Sequence, residues 1–180
     1  MAVIRRAYTF QDAHTFLLLY KSLVRPHLEY ANQVWHPHLR KHINSVENVQ
    51  RRATRLIPGY SKLSYEERLC KLNLPSLAYR QTWGDMIEAY KIATNKYDPD
   101  VSQNLLRFNP RISRSHQFKL QKTYSRTNLR KHSFFNRIVE TWNSLPESVI
   151  TARTLHSFEH RLDHHWRNHP LRFTHQRNDH

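Results

Sequence analysis

Apolar positions recur at helical spacing along most of the chain. Over 12–25, Phe16, Leu19, Tyr20, Leu23 and Val24 define one face, which predicts a helix capped by Asp12. Pro26 stops or kinks it, and Leu28, Ala31, Val34 and Trp35 continue the spacing to Pro37. A second helix is predicted over 39–57, buried through Ile43, Val46, Val49, Ala53 and Leu56 and ended by Pro58-Gly59. Its other face carries Arg40, Lys41, Asn44, Arg51, Arg52 and Arg55. Ser64 with Glu67 reads as a capping box opening a short helix through Tyr65, Leu69 and Leu72. Ser76 caps a long helix over 77–94, with Met86, Ile87 and Tyr90 inward, Trp83 near the edge and Gly84 marking a close helix contact. Two further helices follow. Ser133 caps one, with Phe134, Phe135, Ile138, Val139 and Trp142 inward. Thr154 caps the other, with Leu155, Phe158, Leu162 and Trp166 inward.

The fold class this predicts is mainly α: a small helical bundle, a basic connection and two C-terminal helices. The expected organisation is a helical domain over 1–97, a basic, partly extended connection over 98–132, a helical segment over 133–168 and a polar tail over 169–180. Periodicity weakens over 109–131. There His116, Phe118 and Leu120 alternate with polar residues, as a short strand or extended segment would, and the connection is expected to order on a partner.

Charge narrows the partner. Lys plus Arg number 29 and Asp plus Glu 14, a net charge of +15, which points to nucleic acid or another anionic surface. The stretch 101–139 holds nine basic residues and no acid. A single cysteine, Cys70, excludes an internal disulfide framework and is expected to be buried. No apolar run approaches the ~20 residues of a membrane span, and the first ten residues lack the core of a secretory signal. Histidine spacings at His36, His38 and His42, His160 and His164, and His165 and His169 give no strong metal site, and no metal or cofactor is expected. All four tryptophans, Trp35, Trp83, Trp142 and Trp166, are expected in the core.

Several blocks resemble jockey-like non-LTR (LINE-type) retrotransposon reverse transcriptases, in the region after the polymerase palm. They are FLLLYKSLVRPHLEYA over 16–31 with Val34-Trp35, VQRRATRLIPG over 49–59, LSYEERL over 63–69, LPSL over 74–77 and GDMIEAYK over 84–91. Phe134-Phe135, WNSLP over 142–146 and Ser157-Phe158 follow in the family's order. The resemblance implies a thumb-like domain that grips template–primer or element RNA, with the palm of a full-length polymerase as a further partner. It implies no chemistry of its own: the sequence has no Asp-Asp pair, and fingers, palm and endonuclease are expected upstream of Met1, in a truncated or decayed copy. A nuclear location follows by resemblance alone. Some relatives carry a Cys/His knuckle after the thumb, and this chain, with Cys70 alone, departs from that.

The candidate nucleic-acid-binding residues are Arg51, Arg52 and Arg55 on the second helix, with Arg111, Arg114, Lys119, Lys122, Arg126, Arg130 and Lys131 in the basic stretch, where Tyr124 is placed to stack on a single strand. The plainer reading of the arginine triad is a solvated face, or ion pairs to Glu47 and Asp85. Two alternatives stand beside the polymerase fragment. One is a decayed or stand-alone helical protein-interaction module with no nucleic-acid role. The other is a metal-dependent nuclease built on His160, Asp163 and His164.

Overall fold

The computed structural model describes residues 12–98, 105–109 and 118–174. The described residues are mainly α-helical: α1 Ala13–Leu19, α2 Arg25–Glu29, α3 Asn32–Trp35, α4 Arg40–Arg55, α5 Tyr65–Lys71, α6 Leu77–Ala93, α7 Asn128–Lys131, α8 Phe134–Ser144, α9 Glu147–Ile150 and α10 Leu155–His165. They fall into two compact units. The described part of the first comprises 12–31, 37–81 and 169–174; that of the second comprises 32–36, 82–98, 105–109 and 118–168. Helix α6 gives its first turn to the first unit and the rest to the second.

In the first unit, Asp12 caps α1 by accepting from the Thr15 N–H. Pro26 does not end the helical path. Residues Tyr20–Val24 form a π turn in which the Arg25 N–H bonds to the Tyr20 carbonyl. A proline lacks the N–H an α-helix needs and crowds the carbonyl four residues back, so the wider turn before it lets the chain continue into α2. That turn also shifts the helical phase. Phe16 and Tyr20 are buried, whereas Leu23 is 54% exposed instead of sharing their face. The core joins Phe16, Tyr20, Ala53, Ile57, Tyr65, Leu69, Leu72 and Leu74. The capping box of α5 forms in full, with Glu67 N–H to Ser64 Oγ at 3.2 Å and Ser64 N–H to Glu67 Oε2 at 2.7 Å. Gly59 adopts φ +80° after α4, the left-handed conformation glycine takes most readily at a helix C-terminus.

The buried stripe of α4 differs from the apolar one expected. It is Glu47, Gln50, Ala53 and Thr54, while Leu56 is 37% exposed. Tyr20 donates to Gln50 Oε1 at 2.7 Å. Gln50 Nε2 donates to Tyr65 Oη at 3.1 Å and to the Pro75 carbonyl at 3.0 Å. Tyr65 donates in turn to Glu47 Oε1, and the Leu77 and Ala78 N–H groups donate to the same carboxylate. A helix N-terminus stabilises a negative charge, and here it helps hold one in the core. Ser76 caps α6 by accepting from the Tyr79 N–H, and it is itself tied to residues 171–172: its N–H to Arg172 O at 2.8 Å, its hydroxyl to Leu171 O at 2.6 Å.

In the second unit, Tyr90 stacks on Phe158 with centroids 4.3 Å apart, Trp142 lies 6.2 Å from Phe158, and Ile138, Leu145, Val149 and Leu162 close the core. Its buried carboxylate is Asp85. Arg137 grips both oxygens, at 2.8 and 2.9 Å, and Asn32 Nδ2 adds a bond at 2.9 Å. Thr154 caps α10 as expected. Ser133 occupies the N-cap of α8, but its hydroxyl donates to the Arg130 carbonyl rather than capping.

Other expectations change. Cys70 is exposed rather than buried. Trp35 is 38% exposed and Trp83 half-buried, so only Trp142 and Trp166 are fully core. Phe135 is 39% exposed. A Cβ added at Gly84 meets nothing within 4 Å, so no close contact requires that glycine. Among the described residues no helix is long and apolar enough to cross a membrane.

Candidate nucleic-acid interface

In the first unit the cationic site is the C-terminal half of α4. The three arginines expected to act alike are placed differently. Arg51 is half-buried; its Nη1 donates to Asn48 Oδ1 at 3.0 Å and its guanidinium lies 5.0 Å from the centre of the Tyr65 ring. Arg52 and Arg55 are exposed and make no ion pair among the described residues. A fourth arginine, Arg68 of α5, joins them from inside. It is 3% exposed and lies 5.7 Å from the same ring. Its donors go to neutral oxygens: Nε to Thr54 Oγ1, Nη1 to Leu63 O, Nη2 to Arg51 O. Burial first, and the Arg55 charge next, draw this guanidinium below its ordinary value. Cations over an electron-rich ring are favourable, but Arg51, Arg55 and Arg68 still form a local excess of positive charge. Arg68 was legible as a position, since it falls at i+3 from Tyr65 on an otherwise apolar stripe. Its charge argued for the opposite face.

The Tyr65 ring faces Arg51 and Arg68, and its phenol is linked to Tyr20 through Gln50. Burial, and then the Glu47 charge, push both phenols well above the usual tyrosine value. They stay neutral and keep donating across the working pH range.

In the second unit the described part of the basic stretch from Phe118 to Arg130 is fixed by side chains of α8. Leu120 exchanges two bonds with the Asn143 amide, at 2.8 and 2.9 Å. Asn136 accepts from the Thr123 N–H and donates to the Arg130 carbonyl, and Trp142 Nε1 donates to the Phe118 carbonyl. Phe108 and Leu120 form an antiparallel bridge, in keeping with the alternation at Phe118 and Leu120. Thr127 caps α7. Two of the seven described cations of the stretch are met by acids from elsewhere in the chain: Arg137 by Asp85, and Lys122 by Glu140. Lys119 is half-buried; Arg126, Arg130 and Lys131 are exposed and make no ion pair among the described residues. Tyr124 is 83% exposed beside them. Arg111, Arg114 and His116 lie outside the described residues.

Among the described residues no group of three or more His, Cys, Asp and Glu side chains is placed to hold a metal ion. Asp163 accepts from Trp83 Nε1 at 2.9 Å, with His160 and His164 exposed on the same helix. Compared with protein-family models, curated proteins and solved structures, the chain matches none.

Proposed function

We propose that this chain is a helical module that binds nucleic acid through its phosphates, and that it corresponds to the non-catalytic, post-palm part of a non-LTR reverse transcriptase, where it would hold template–primer or element RNA. One observation carries the binding. Five acids are engaged by caps, hydrogen bonds or ion pairs of the fold, while several exposed cations are not. Glu29 is held by Arg25 and Arg80, Glu47 by Tyr65 and the start of α6, Asp85 by Arg137, and Asp12 and Glu67 by helix caps. Arg52, Arg55, Arg126, Arg130 and Lys131 remain exposed and make no ion pair among the described residues. Phosphates neutralise such cations and release counterions, so binding weakens steeply with salt. The polymerase assignment rests on the ordered sequence blocks alone.

The test is a salt titration of binding to RNA and to DNA. About six neutralised phosphates give a slope near ~−5 in log affinity against log salt. Changing Arg51, Arg52 and Arg55 together to Ala should weaken binding evenly across sequences, because phosphate contacts read no bases. Salt-insensitive or absent binding would favour the second reading, a protein-interaction module. That reading draws on the apolar residues that α1 and the π turn leave open, Leu18 at 56% and Leu23 at 54% exposure. Polymerisation on a primed RNA by the isolated chain would overturn the non-catalytic assignment.

A further inference from the structure

The second unit contains a cavity of ≈ 160 Å³ between the bridged segments around Arg107 and Leu120 and the start of α8. Leu106 and Leu120 give it an apolar floor, both buried. Phe135 forms an aromatic wall, 39% exposed and held edge-on by Phe134 at 5.2 Å. Arg107 and Arg130 also line it, both exposed and without an acidic partner among the described residues.

Hydrogen bonds tie the walls to one another. Gln121 N–H bonds to Arg107 O and Asn109 N–H to Lys119 O, each at 2.7 Å. Asn136 clamps Thr123 on one side and Arg130 on the other. The volume is below the ~300–1,000 Å³ of sites that enclose drug-sized ligands. It suits one flat ring with an anionic group at the mouth. A bare phosphate has no use for Leu106, Leu120 and Phe135, and an apolar ligand has none for two guanidiniums. A nucleotide uses both: its base on the aromatic wall and apolar floor, its phosphate on the arginines. Tyr124, Arg126 and Lys131 stand exposed close by in sequence, continuing the alternation of ring and cation that a strand of several nucleotides needs.

We infer that this cavity seats one unstacked base of a single-stranded nucleic acid, with Arg107 and Arg130 on the adjoining phosphates. The inference rests on the nucleic-acid reading and adds to it a contact to the base itself. It predicts a preference that no phosphate grip shares. The experiment is fluorescence anisotropy with the full chain, comparing a short labelled thymidine oligonucleotide with an abasic oligonucleotide of the same length and charge. The base-bearing strand should bind about fivefold or more tightly, the order of one stacked base. Phe135→Ala should remove that preference and leave the salt-sensitive binding to the abasic strand. Arg107→Ala with Arg130→Ala should weaken both strands, whereas Arg153→Ala, an exposed arginine elsewhere in the unit, should do so less. Equal binding of the two strands by the native chain overturns the base seat while the phosphate grip stands, and needs no variant that has to fold. A base preference that survives Phe135→Ala also overturns it. No binding of either strand overturns both readings together.

Discussion

Each unit buries a carboxylate, and the two are stabilised in different ways. Glu47 takes hydrogen bonds from the Tyr65 phenol and from two backbone N–H groups at the start of α6. Asp85, farther along that same helix, is held on both oxygens by Arg137. The phenol and helix end are fixed by packing and cannot leave. The guanidinium supplies a full opposite charge but rests on a side chain that must itself be buried. Charge in the core is thus supported by local architecture in one unit and by a partner about fifty residues downstream in the other.

The largest effect should come from breaking the second arrangement. Arg137→Ala leaves Asp85 in place without its main partner, and loss of one member of a buried pair costs about 3–5 kcal/mol. Chemical denaturation measures the loss, and hydrogen exchange should place it in the second unit. Glu47→Gln is the milder counterpart. It keeps the shape and an acceptor but discards the charge that the helix N-terminus and the phenol favour, for a loss of about 2 kcal/mol. A result equal to that of Arg137→Ala would mean that Glu47 is bound as tightly as a full ion pair.

Alkali separates the two carboxylates in another way. The Tyr20 and Tyr65 phenols are raised in the folded state, so the unfolded chain releases those protons first. Their contribution to stability is complete below the ordinary tyrosine value of 10.0 and is lost as the pH climbs above it. Tyr65→Phe should flatten that decline, read by unfolding curves against pH, whereas Arg137→Ala should leave its slope unchanged. Helix α6 serves both carboxylates, and Gly84→Ala should stabilise it by up to about 1 kcal/mol, since the added methyl meets open space. The smallest effect is at the surface. Arg55→Ala should change stability by no more than about 0.5 kcal/mol while lowering affinity for nucleic acid.

These contrasts also show what sequence patterns convey. Asp12, Ser64, Ser76 and Thr154 were legible as caps because a cap depends on residues within one turn of it. Gly59 was legible for the same reason. The polar stripe Glu47, Gln50 and Thr54 was not, because periodicity assigns polar residues to solvent and only tertiary partners reverse that. The π turn before Pro26 likewise follows from a compromise between proline and a helix that packing keeps intact. The candidate interface divides in the same way. Arg52 and Arg55 were visible as exposed charge on an amphipathic helix. Arg51's turn toward Tyr65, Arg68 beneath it and the pairing of Lys122 with Glu140 depend on which side chains the fold brings close. Within the stretch expected to order on a partner, the described residues Phe118, Leu120, Thr123 and Arg130 are held by Asn136, Trp142 and Asn143, none of which carries a local signal for that task. Arg107 and Phe135 gained meaning only with the cavity between them.

The bonds from Ser76 to residues 171 and 172 bear on the order of events during synthesis. The ribosome releases the chain from its N-terminus, and domains generally fold as units as they emerge. The first unit begins to emerge before the second but is not finished before it, because the carbonyls that secure Ser76 are made some ninety-five residues later. The second unit has all its described parts once residue 168 is out. Of the two units, the one that begins to emerge first is therefore completed second, and until then the cap at the start of α6, beside the seat of Glu47, lacks its bonds to residues 171 and 172.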